Sequence, residues 1–536
     1  MRNHMAAGWF YSPSQMARYF STRVTSLKPP KTRLKNPYHI LRELNRHQWL
    51  MFSVGFLGWT WDAFDFFTVS LCVTEIAQEF AVLNSAVSWG LTVTLMLRSV
   101  GALIFGLFAD RYGRKWPMII NLALFVVLEL ASGFCNNLPQ LLGVRSLYGI
   151  AMGGLFGPAA ATALEDLPYE ARGLLSGVFE GGYATGYLLA AIFYRAFVPT
   201  HGWRSLFWFG AGPPILIIIF RWYMPETNHF LAMKAEREAR ARVDSTEGKN
   251  ISLRAFLREA GSGLKDNWVI FVYLVVIMTG FNSCSHGSQD FYPTFLKDQV
   301  GKSPTTTTII TVVGQLGSLF GGATIGYIST LFGRRLTMLV SCIFGGALIP
   351  AYMLPRSDAL IATAFFQQFF VGGVWGPIPI HLSELSPPAL RGLLVGLTYQ
   401  LGNLASSASA TIQSTIGEQY PLPDSARGMK RFNYGKVIAI FMGAVWAYMF
   451  ILLFLGPEMS QEEREEEAEQ SMQMYRLQSQ GLSPEQIGEE RANLVLKQTE
   501  ESRGADQGAG NEEKSEVEHA QRVEGSAGAD GIAEKV

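Results

Sequence analysis

Two stretches of sequence decide the fold: residues 153–177, GGLFGPAAATALEDLPYEARGLLSG, and residues 372–396, GGVWGPIPIHLSELSPPALRGLLVG. They align without a gap, and both contain a Gly-Gly pair, a Gly-Pro pair, a glutamate, a proline and the run Arg-Gly-Leu-Leu at the same positions. A second pair agrees with them, because residues 106–115 match residues 326–335. The sequence therefore predicts that one structural unit occurs twice in this chain.

The composition places both copies in a membrane. Hydrophobic residues make up 49% of the chain and charged residues only 16%, whereas soluble domains carry roughly 25% charged residues. The charges crowd the first 47 residues, the stretch 225–266 and the part after residue 457, and apolar runs fill the rest. The formal net charge is zero, so no nucleic-acid partner is expected.

A helix needs about 20 apolar residues to cross the hydrocarbon core, and the apolar runs predict twelve such helices in an all-α membrane protein. An even number of helices in each copy makes the two copies parallel repeats, which resembles the major facilitator fold. The N-terminal half then covers residues 48–224 and the C-terminal half residues 267–456. Numbered as spans 1 to 12, the helices are predicted near 48–74, 86–108, 116–135, 140–163, 173–197, 205–224, 267–295, 306–329, 336–354, 359–382, 391–416 and 434–456.

Positive charge predicts the orientation, because cytoplasmic loops carry an excess of Lys and Arg. The loops between spans 2 and 3 and between spans 8 and 9 are basic, whereas the loops after spans 1 and 3 contain no Lys or Arg. Both termini and the central loop 225–266 are therefore predicted to be cytoplasmic. The N-terminal tail covers residues 1–47. The C-terminal tail covers residues 457–536 and is expected to be mostly disordered after a short acidic helix. No signal peptide is expected in the N-terminal tail. The basic residues between spans 11 and 12 do not fit this pattern: Arg427, Lys430, Arg431 and Lys436.

Neither a metal site nor a catalytic site is predicted. The four cysteines lie far apart in apolar runs, which is typical of small buried side chains and not of a disulfide framework or a zinc site. No nucleophile and base pattern or phosphate-binding loop stands out, so neither an enzyme nor a cofactor is expected. The cysteines are Cys72, Cys135, Cys284 and Cys342.

The segment GLFADRYGRK at 106–115 resembles the loop 2–3 motif of the major facilitator superfamily, and residues 145–153 resemble its helix 4 motif. Glycine lets helices approach closely, and the charged residues can latch one state of a gate. We predict gating roles for Asp110, Arg114 and Arg334. The second copy has Thr330 in place of Asp110, so the latch is expected to be asymmetric.

Ionisable residues inside the membrane are costly, so each one indicates a function or a structural ion pair. Asp62 and Asp65 share one helix face. Arg98 offers a planar fork for a carboxylate, or a partner for either aspartate. As a set, these residues favour a path for a charged substrate and protons. The candidates are Asp62, Asp65, Arg98, Glu129, Arg145, Glu180, His286 and Asp290.

Span 7 has the most informative sequence, NSCSHGSQDFYPT at 282–294. Asn282, His286 and Gln289 recur at helical spacing and form one polar stripe. Asp290 follows His286 by one helical turn and can hydrogen-bond it, and histidine is the side chain that changes charge near neutral pH. Span 11 offers Gln400 and Asn403, which also share a face.

The span 7 segment resembles the signature Asn-x-x-Ser/Thr-His-x-Ser/Thr-Gln-Asp-x-x-x-Thr of the fungal Jen-type monocarboxylate/proton symporters, within the sialate:proton symporter family. The resemblance covers the helical region, about 48–456. It implies a multi-pass plasma-membrane symporter of short carboxylates such as lactate, pyruvate or acetate, or of dicarboxylates such as succinate or malate. It also implies roles in substrate and proton handling for His286, Asp290, Gln400 and Asn403.

We therefore predict alternating access, in which a carboxylate and a proton cross together. Two other kinds of protein stay open: a facilitator for sugars or other neutral solutes, and a non-transporting nutrient sensor with regulatory partners on its tails. The predicted proton-coupling residues are Asp62, Asp65, His286 and Asp290. The predicted substrate-binding residues are Arg98, Asn282, His286, Gln289, Gln400 and Asn403.

Overall fold

The structure is a computed structural model. It describes residues 13–28, 36–82, 84–244, 261–265, 267–386, 391–417, 419–423, 431–459, 469, 472–473, 476–477 and 480–493. The chain forms two compact units. The first unit, Met1–Thr227 with Phe256–Met472, contains all the membrane spans.

Each predicted span is helical. Spans 1 to 6 are Arg46–Glu79, Asn84–Tyr112, Lys115–Gly133, Leu138–Leu164, Tyr169–His201 and Arg204–Tyr223. Spans 7 to 12 are Trp268–Lys297, Pro304–Phe332, 334–353, Ala359–Leu385, 391–417 and Tyr434–Leu455. A π-helix over Phe295–Val300 overlaps the end of span 7 and extends three residues beyond it. Short helices precede span 1 at Pro13–Ser21 and Pro37–Glu43.

Eight helices in the described part of the chain are long and apolar enough to cross a membrane on length and composition alone. Spans 1, 5, 9 and 11 fall outside this set. Span 1 contains Asp62 and Asp65, and span 11 contains Gln400 and Asn403, all of them buried. Spans that face the interior of a bundle can hold such residues, because protein and not lipid surrounds the polar groups.

Local sequence signals explain several helix ends. Asn45 starts span 1 with a capping box to Gln48, which satisfies two otherwise unpaired backbone groups. Ser303 accepts a hydrogen bond from the Thr306 N–H at the start of span 8. Gly113 and Gly333 have φ angles of 104° and 88°, a backbone region that favours glycine. These two glycines turn the chain between spans 2 and 3 and between spans 8 and 9.

Glycines bring the helices of each half into backbone contact. At Gly153 in span 4, an added Cβ would collide with the backbone of Arg98 in span 2. At the corresponding Gly372 in span 10, it would collide with Ser318 in span 8. The duplicated sequence thus produces the same close packing in both halves.

The two halves touch at the end of the bundle that holds the Gly113 and Gly333 turns, here called the motif end. Asp110 Oδ2 accepts a hydrogen bond of 2.8 Å from the Leu393 N–H. Ser176 Oγ donates to the Gly376 carbonyl at 2.8 Å. Spans of one half are therefore hydrogen-bonded to spans of the other half at this end.

A pair of short strands and the second compact unit also lie outside the spans. Pro421–Leu422 pairs antiparallel with Arg431–Phe432 between spans 11 and 12, a two-stranded addition to the predicted all-α fold. The second compact unit contains the helix Asn228–Asp244 and the tail segment 484–493, and within it Gly488 lies against Ala232. Several predictions fall outside the described residues: the acidic helix at 461–467 and disorder at the end of the tail. Arg427 and Lys430 also lie outside them.

Candidate transport site

A cavity lies between the two halves, with about 490 Å³ of space between its atoms. We call it the central cavity. Its charged or ionisable lining consists of Glu180 from span 5, His286 from span 7 and the phenols of Tyr183 and Tyr399. The other lining residues are Trp59, Gly181, Ala184, Asn282, Ser285, Gln289, Ser318, Val371, Gly372 and Trp375.

His286 is held by a chain of hydrogen bonds along the cavity wall. Its Nδ1 lies 2.8 Å from Asp290 Oδ2, and its Nε2 lies 3.1 Å from Asn403 Oδ1. The Asn403 amide donates in turn to Gln400 Oε1 at 2.8 Å. Both ring nitrogens thus face oxygen acceptors, and an imidazole that carries its second proton donates from both sides. Four predicted site residues therefore form one connected network.

Asn282 and Gln289 border the same cavity and are fixed by other partners. The Asn282 amide donates to the carbonyls of Met278 at 2.9 Å and Tyr399 at 3.3 Å. Gln289 Nε2 donates to Gln368 Oε1 at 3.0 Å. Gln289 also lines a second, smaller cavity of about 240 Å³, so this residue connects the central cavity with a neighbouring polar space.

Aromatic rings form the rest of the wall, which our sequence analysis missed. Trp59 meets Tyr399 across the interface of the halves, with ring centroids 5.9 Å apart. Trp375 Nε1 donates to Ser285 Oγ at 2.7 Å. Aromatic residues make up 12% of the whole chain, and such a high frequency does not distinguish these particular positions.

Arg98 does not line the central cavity. Its Nη2 lies 3.7 Å from Asp62 Oδ2 and 3.1 Å from Met152 Sδ, and its guanidinium sits 5.1 Å from the Phe66 ring centroid. Both side chains of the Arg98–Asp62 pair are buried. Of the two roles predicted for Arg98, the structure shows the ion pair with an aspartate, and the partner is Asp62.

Asp65 belongs to a separate network in the N-terminal half. It accepts a hydrogen bond of 2.6 Å from the Tyr148 hydroxyl. Arg145 pairs with Glu129 at 2.9 Å and stacks over the Tyr148 ring at 4.7 Å. These residues contact one another inside the half, and none of them lines the central cavity.

The predicted gating residues take part in matching ion pairs at the motif end. Arg114 lies 2.8 Å from Glu165 and 3.5 Å from Asp110. In the second half, Arg334 lies 3.2 Å from Glu384, which is the aligned counterpart of Glu165. Thr330 accepts a hydrogen bond from Arg334 within its own half, whereas Asp110 reaches across to Leu393.

The motif end also contains a cavity of about 540 Å³ with a repeated lining. Glu165 and Arg172 from one half face it together with Glu384 and Arg391 from the other. These four residues occupy matching positions in the aligned repeats, and no role was predicted for them. Among the described residues, no cluster of three or more His, Cys, Asp or Glu side chains could hold a metal ion.

Two six-helix halves meet at the motif end, and residues of both halves line the central cavity. This arrangement defines a membrane transporter of the major facilitator fold. The chain belongs to the family described as sugar (and other) transporter, whose model matches residues 49–471. The members of this family are transporters and not enzymes, which agrees with our prediction.

Similar proteins agree with this assignment. The chain is 39% identical over 432 residues to the carboxylic acid transporter protein homolog of Saccharomyces cerevisiae, covering 79% of this chain and 70% of that protein. It is 26% identical to the sialic acid transporter NanX of Escherichia coli, covering 71% of this chain and 90% of NanX. The predicted resemblance to fungal carboxylate transporters is therefore confirmed.

A solved structure is similar in fold. The proton:xylose symporter XylE, bound to 6-bromo-6-deoxy-D-glucose, matches with a TM-score of 0.63 at 18% identity. The match covers 78% of this chain and 98% of that one. At this level of identity the likeness concerns the fold.

Proposed function

We propose that this protein is a proton-coupled symporter of short-chain monocarboxylates such as lactate, pyruvate or acetate. The 39% identical yeast protein is described as a carboxylic acid transporter homolog, and a 24% identical protein of Acinetobacter baylyi as a cis,cis-muconate transport protein. Both names describe carriers of organic acids. They support a carboxylate substrate over the sugar alternative.

The observation that carries the proposal is the placement of His286 between Asp290 and Asn403 at the wall of the central cavity. A ring flanked by two oxygen acceptors can hold a proton and present positive charge beside the cavity. A carboxylate bound there gains a charge-assisted contact. The same residue thus serves both the anion and the proton.

Asn282, Gln289, Gln400 and Asn403 supply amide groups on the same side, either at the cavity wall or through His286. Arg98 lies outside the lining of the central cavity, where it is paired with Asp62. Its positive charge still favours an anion in the bundle. Asp62, Asp65, His286 and Asp290 are the proposed proton-coupling groups.

The proposed transport cycle is alternating access. In this cycle the Asp110–Leu393 contact holds the two halves together at the motif end, and the ion pairs of Arg114 and Arg334 lie beside it, each within its own half. We place the motif end at the cytoplasmic face of the plasma membrane, together with both termini. A carrier loaded with anion and proton is neutral overall, and so is the empty carrier. Only these two forms cross readily, because an unpaired charge in the buried site is costly.

The proposal is tested by uptake in cells that lack their own acid carriers. We expect labelled lactate to enter faster at external pH 5 than at pH 7.5, and excess unlabelled acetate or pyruvate to compete whereas xylose does not. If succinate alone competes, the transported substrate is a dicarboxylate. Competition by xylose, or uptake insensitive to pH, would favour a neutral-solute facilitator. A protein that reaches the surface and moves none of these acids would contradict the proposal.

A further inference from the structure

Glu180 is a buried carboxyl group that none of the networks above includes. It lies in span 5, is 8% exposed and lines the central cavity. Its Oε1 atom is enclosed and accepts no hydrogen bond from the described residues. The residue belongs to the N-terminal half, whereas His286 faces the same cavity from the C-terminal half.

The other carboxyl groups of the membrane region differ from Glu180 in having partners. Asp62 pairs with Arg98, Glu129 with Arg145, and Asp290 with His286, while Asp65 accepts a hydrogen bond from Tyr148. An isolated carboxylate costs far more to bury than a neutral carboxylic acid. A carboxyl group with no basic partner in the described chain therefore suits a site that gains and loses a proton.

The substrate changes the environment of this group. Glu180 and His286 both line the cavity, and an anion beside an ionised Glu180 would meet a second negative charge, because two carboxylates side by side repel each other. A protonated Glu180 instead offers an O–H donor, and such a donor forms a short, strong hydrogen bond with a carboxylate oxygen. Occupation of the cavity by the acid thus requires a proton on this residue.

We propose that Glu180 carries a transported proton and donates a hydrogen bond from it to the carboxylate of the acid, in addition to the coupling groups named above. This rests on the proposed function of the same site. The proton enters with the anion from one side, the Glu180 carboxylate becomes a carboxylic acid, and both solutes leave on the other side. The anion itself is unchanged.

Glu180 shares the cavity with both titratable and non-titratable residues. Ser318 and Gly181 line the same cavity and have no titratable group, whereas Tyr183 and Tyr399 contribute phenols to it. Titratable and charged groups also occur on the elements packed against span 5. They include His39, Arg42 and Glu43 of the helix Pro37–Glu43, His47, Asp62, Asp65, Glu75 and Glu79 of span 1, Glu165 of span 4, Arg204 of span 6, and His381 and Glu384 of span 10. His286 of span 7 faces the same cavity.

The test compares Glu180→Gln with the wild type in proteoliposomes. Glutamine keeps the size of the side chain and cannot release a proton. We expect lactate–lactate exchange to persist with a weaker dependence on pH than in the wild type, while accumulation driven by a proton gradient falls severalfold. Glu170→Gln is the matched control, because Glu170 is an exposed glutamate of the same span. This control should behave like the wild type.

Gradient-driven accumulation by Glu180→Gln with the wild-type pH dependence would overturn the role of Glu180. Loss of exchange as well as accumulation in a variant that unfolds at the wild-type temperature would also overturn it. If Glu180→Gln does not reach the membrane, Glu180→Asp decides: the midpoint of its pH–uptake curve should move, and an unchanged midpoint refutes the proposal. Failure of the wild type to move lactate would refute the proposed function instead.

Discussion

Asp110 of span 2 accepts a 2.8 Å hydrogen bond from the backbone N–H of Leu393, in the first turn of the helix Arg391–Ser406 of the other half. A carboxylate at the start of a helix is favourable because the first N–H groups have no partner within the helix. The contact ties the two halves together at the motif end. It must break whenever this end opens.

Replacement of Asp110 by alanine should therefore favour the state that is open at the motif end. A hydrogen bond to a charged group contributes about 1.5–3 kcal/mol, so we expect the open population to rise by roughly tenfold or more. The measurement is the rate at which a maleimide labels a cysteine placed at Ile380, which lines the motif-end cavity.

Asp358→Ala is the control for this experiment. Asp358 is an exposed aspartate that pairs with Lys302 outside the interface of the halves. It should leave the labelling rate at position 380 unchanged. Equal labelling of Asp110→Ala and wild type would show that the Leu393 contact does not hold the gate.

The Arg98–Asp62 pair predicts a rescue. Removal of one partner leaves a buried charge alone, which costs about 3–5 kcal/mol. Arg98→Ala and Asp62→Ala should each lower the thermal unfolding temperature of the detergent-solubilised protein. The double variant Arg98→Gln/Asp62→Asn removes both charges and should recover most of that loss.

Lactate uptake by the recovered double variant then tests whether the pair has a role beyond stability. Low uptake by the stable variant would assign a transport role to the Arg98 charge or to a proton on Asp62. Full uptake would assign both residues to the ion pair alone. No stability recovery in the double variant would contradict the pairing itself.

The network around His286 predicts coupled effects. Asp290 holds one ring nitrogen and the Asn403 amide faces the other. His286→Gln and Asp290→Asn should each reduce proton-driven lactate uptake by at least tenfold. Uptake by the double variant should be only slightly lower than uptake by the less active single variant. Residues that act as a unit show such non-additivity. Losses that multiply in the double variant would show independent roles.

The close packing of spans 2 and 4 predicts a strong position effect for glycine. In Gly153→Ala the new methyl group meets the Arg98 backbone, whereas the Cβ of Gly143→Ala has no heavy atom within 4 Å. Both residues lie in the helix Leu138–Gly153. We expect Gly153→Ala to lower the unfolding temperature by several degrees and Gly143→Ala to leave it unchanged or to raise it, because alanine is the better helix former. Equal tolerance of both would contradict the packing.

Much of the fold could be predicted from the sequence. The apolar runs located all the spans because a membrane helix needs a fixed apolar length. The polar stripe of span 7 located the wall of the cavity, because its spacing puts Asn282, His286 and Gln289 on one face. The repeat also anticipated the asymmetry between Asp110 and Thr330.

Other parts of the site could not be predicted. Asp62 and Asp65 lie on one face of span 1, yet only the packing of span 2 gives Asp62 the partner Arg98 and leaves Asp65 to Tyr148. The pairing of Arg114 with Glu165 joins residues from different spans, and no sequence spacing indicates such a contact. Glu180 differs from the other carboxyl groups of the membrane region because it has no partner in the described chain. This difference exists only once the helices are packed.

The most direct test of proton-coupled carboxylate transport is made with purified protein in liposomes without any membrane potential. An outward lactate gradient should carry protons out with the anion, so a pH dye trapped in the lumen should report alkalinisation that stops when lactate is omitted or a protonophore is added. Lactate efflux with no change in luminal pH would contradict the account, since the acid would then cross without its proton.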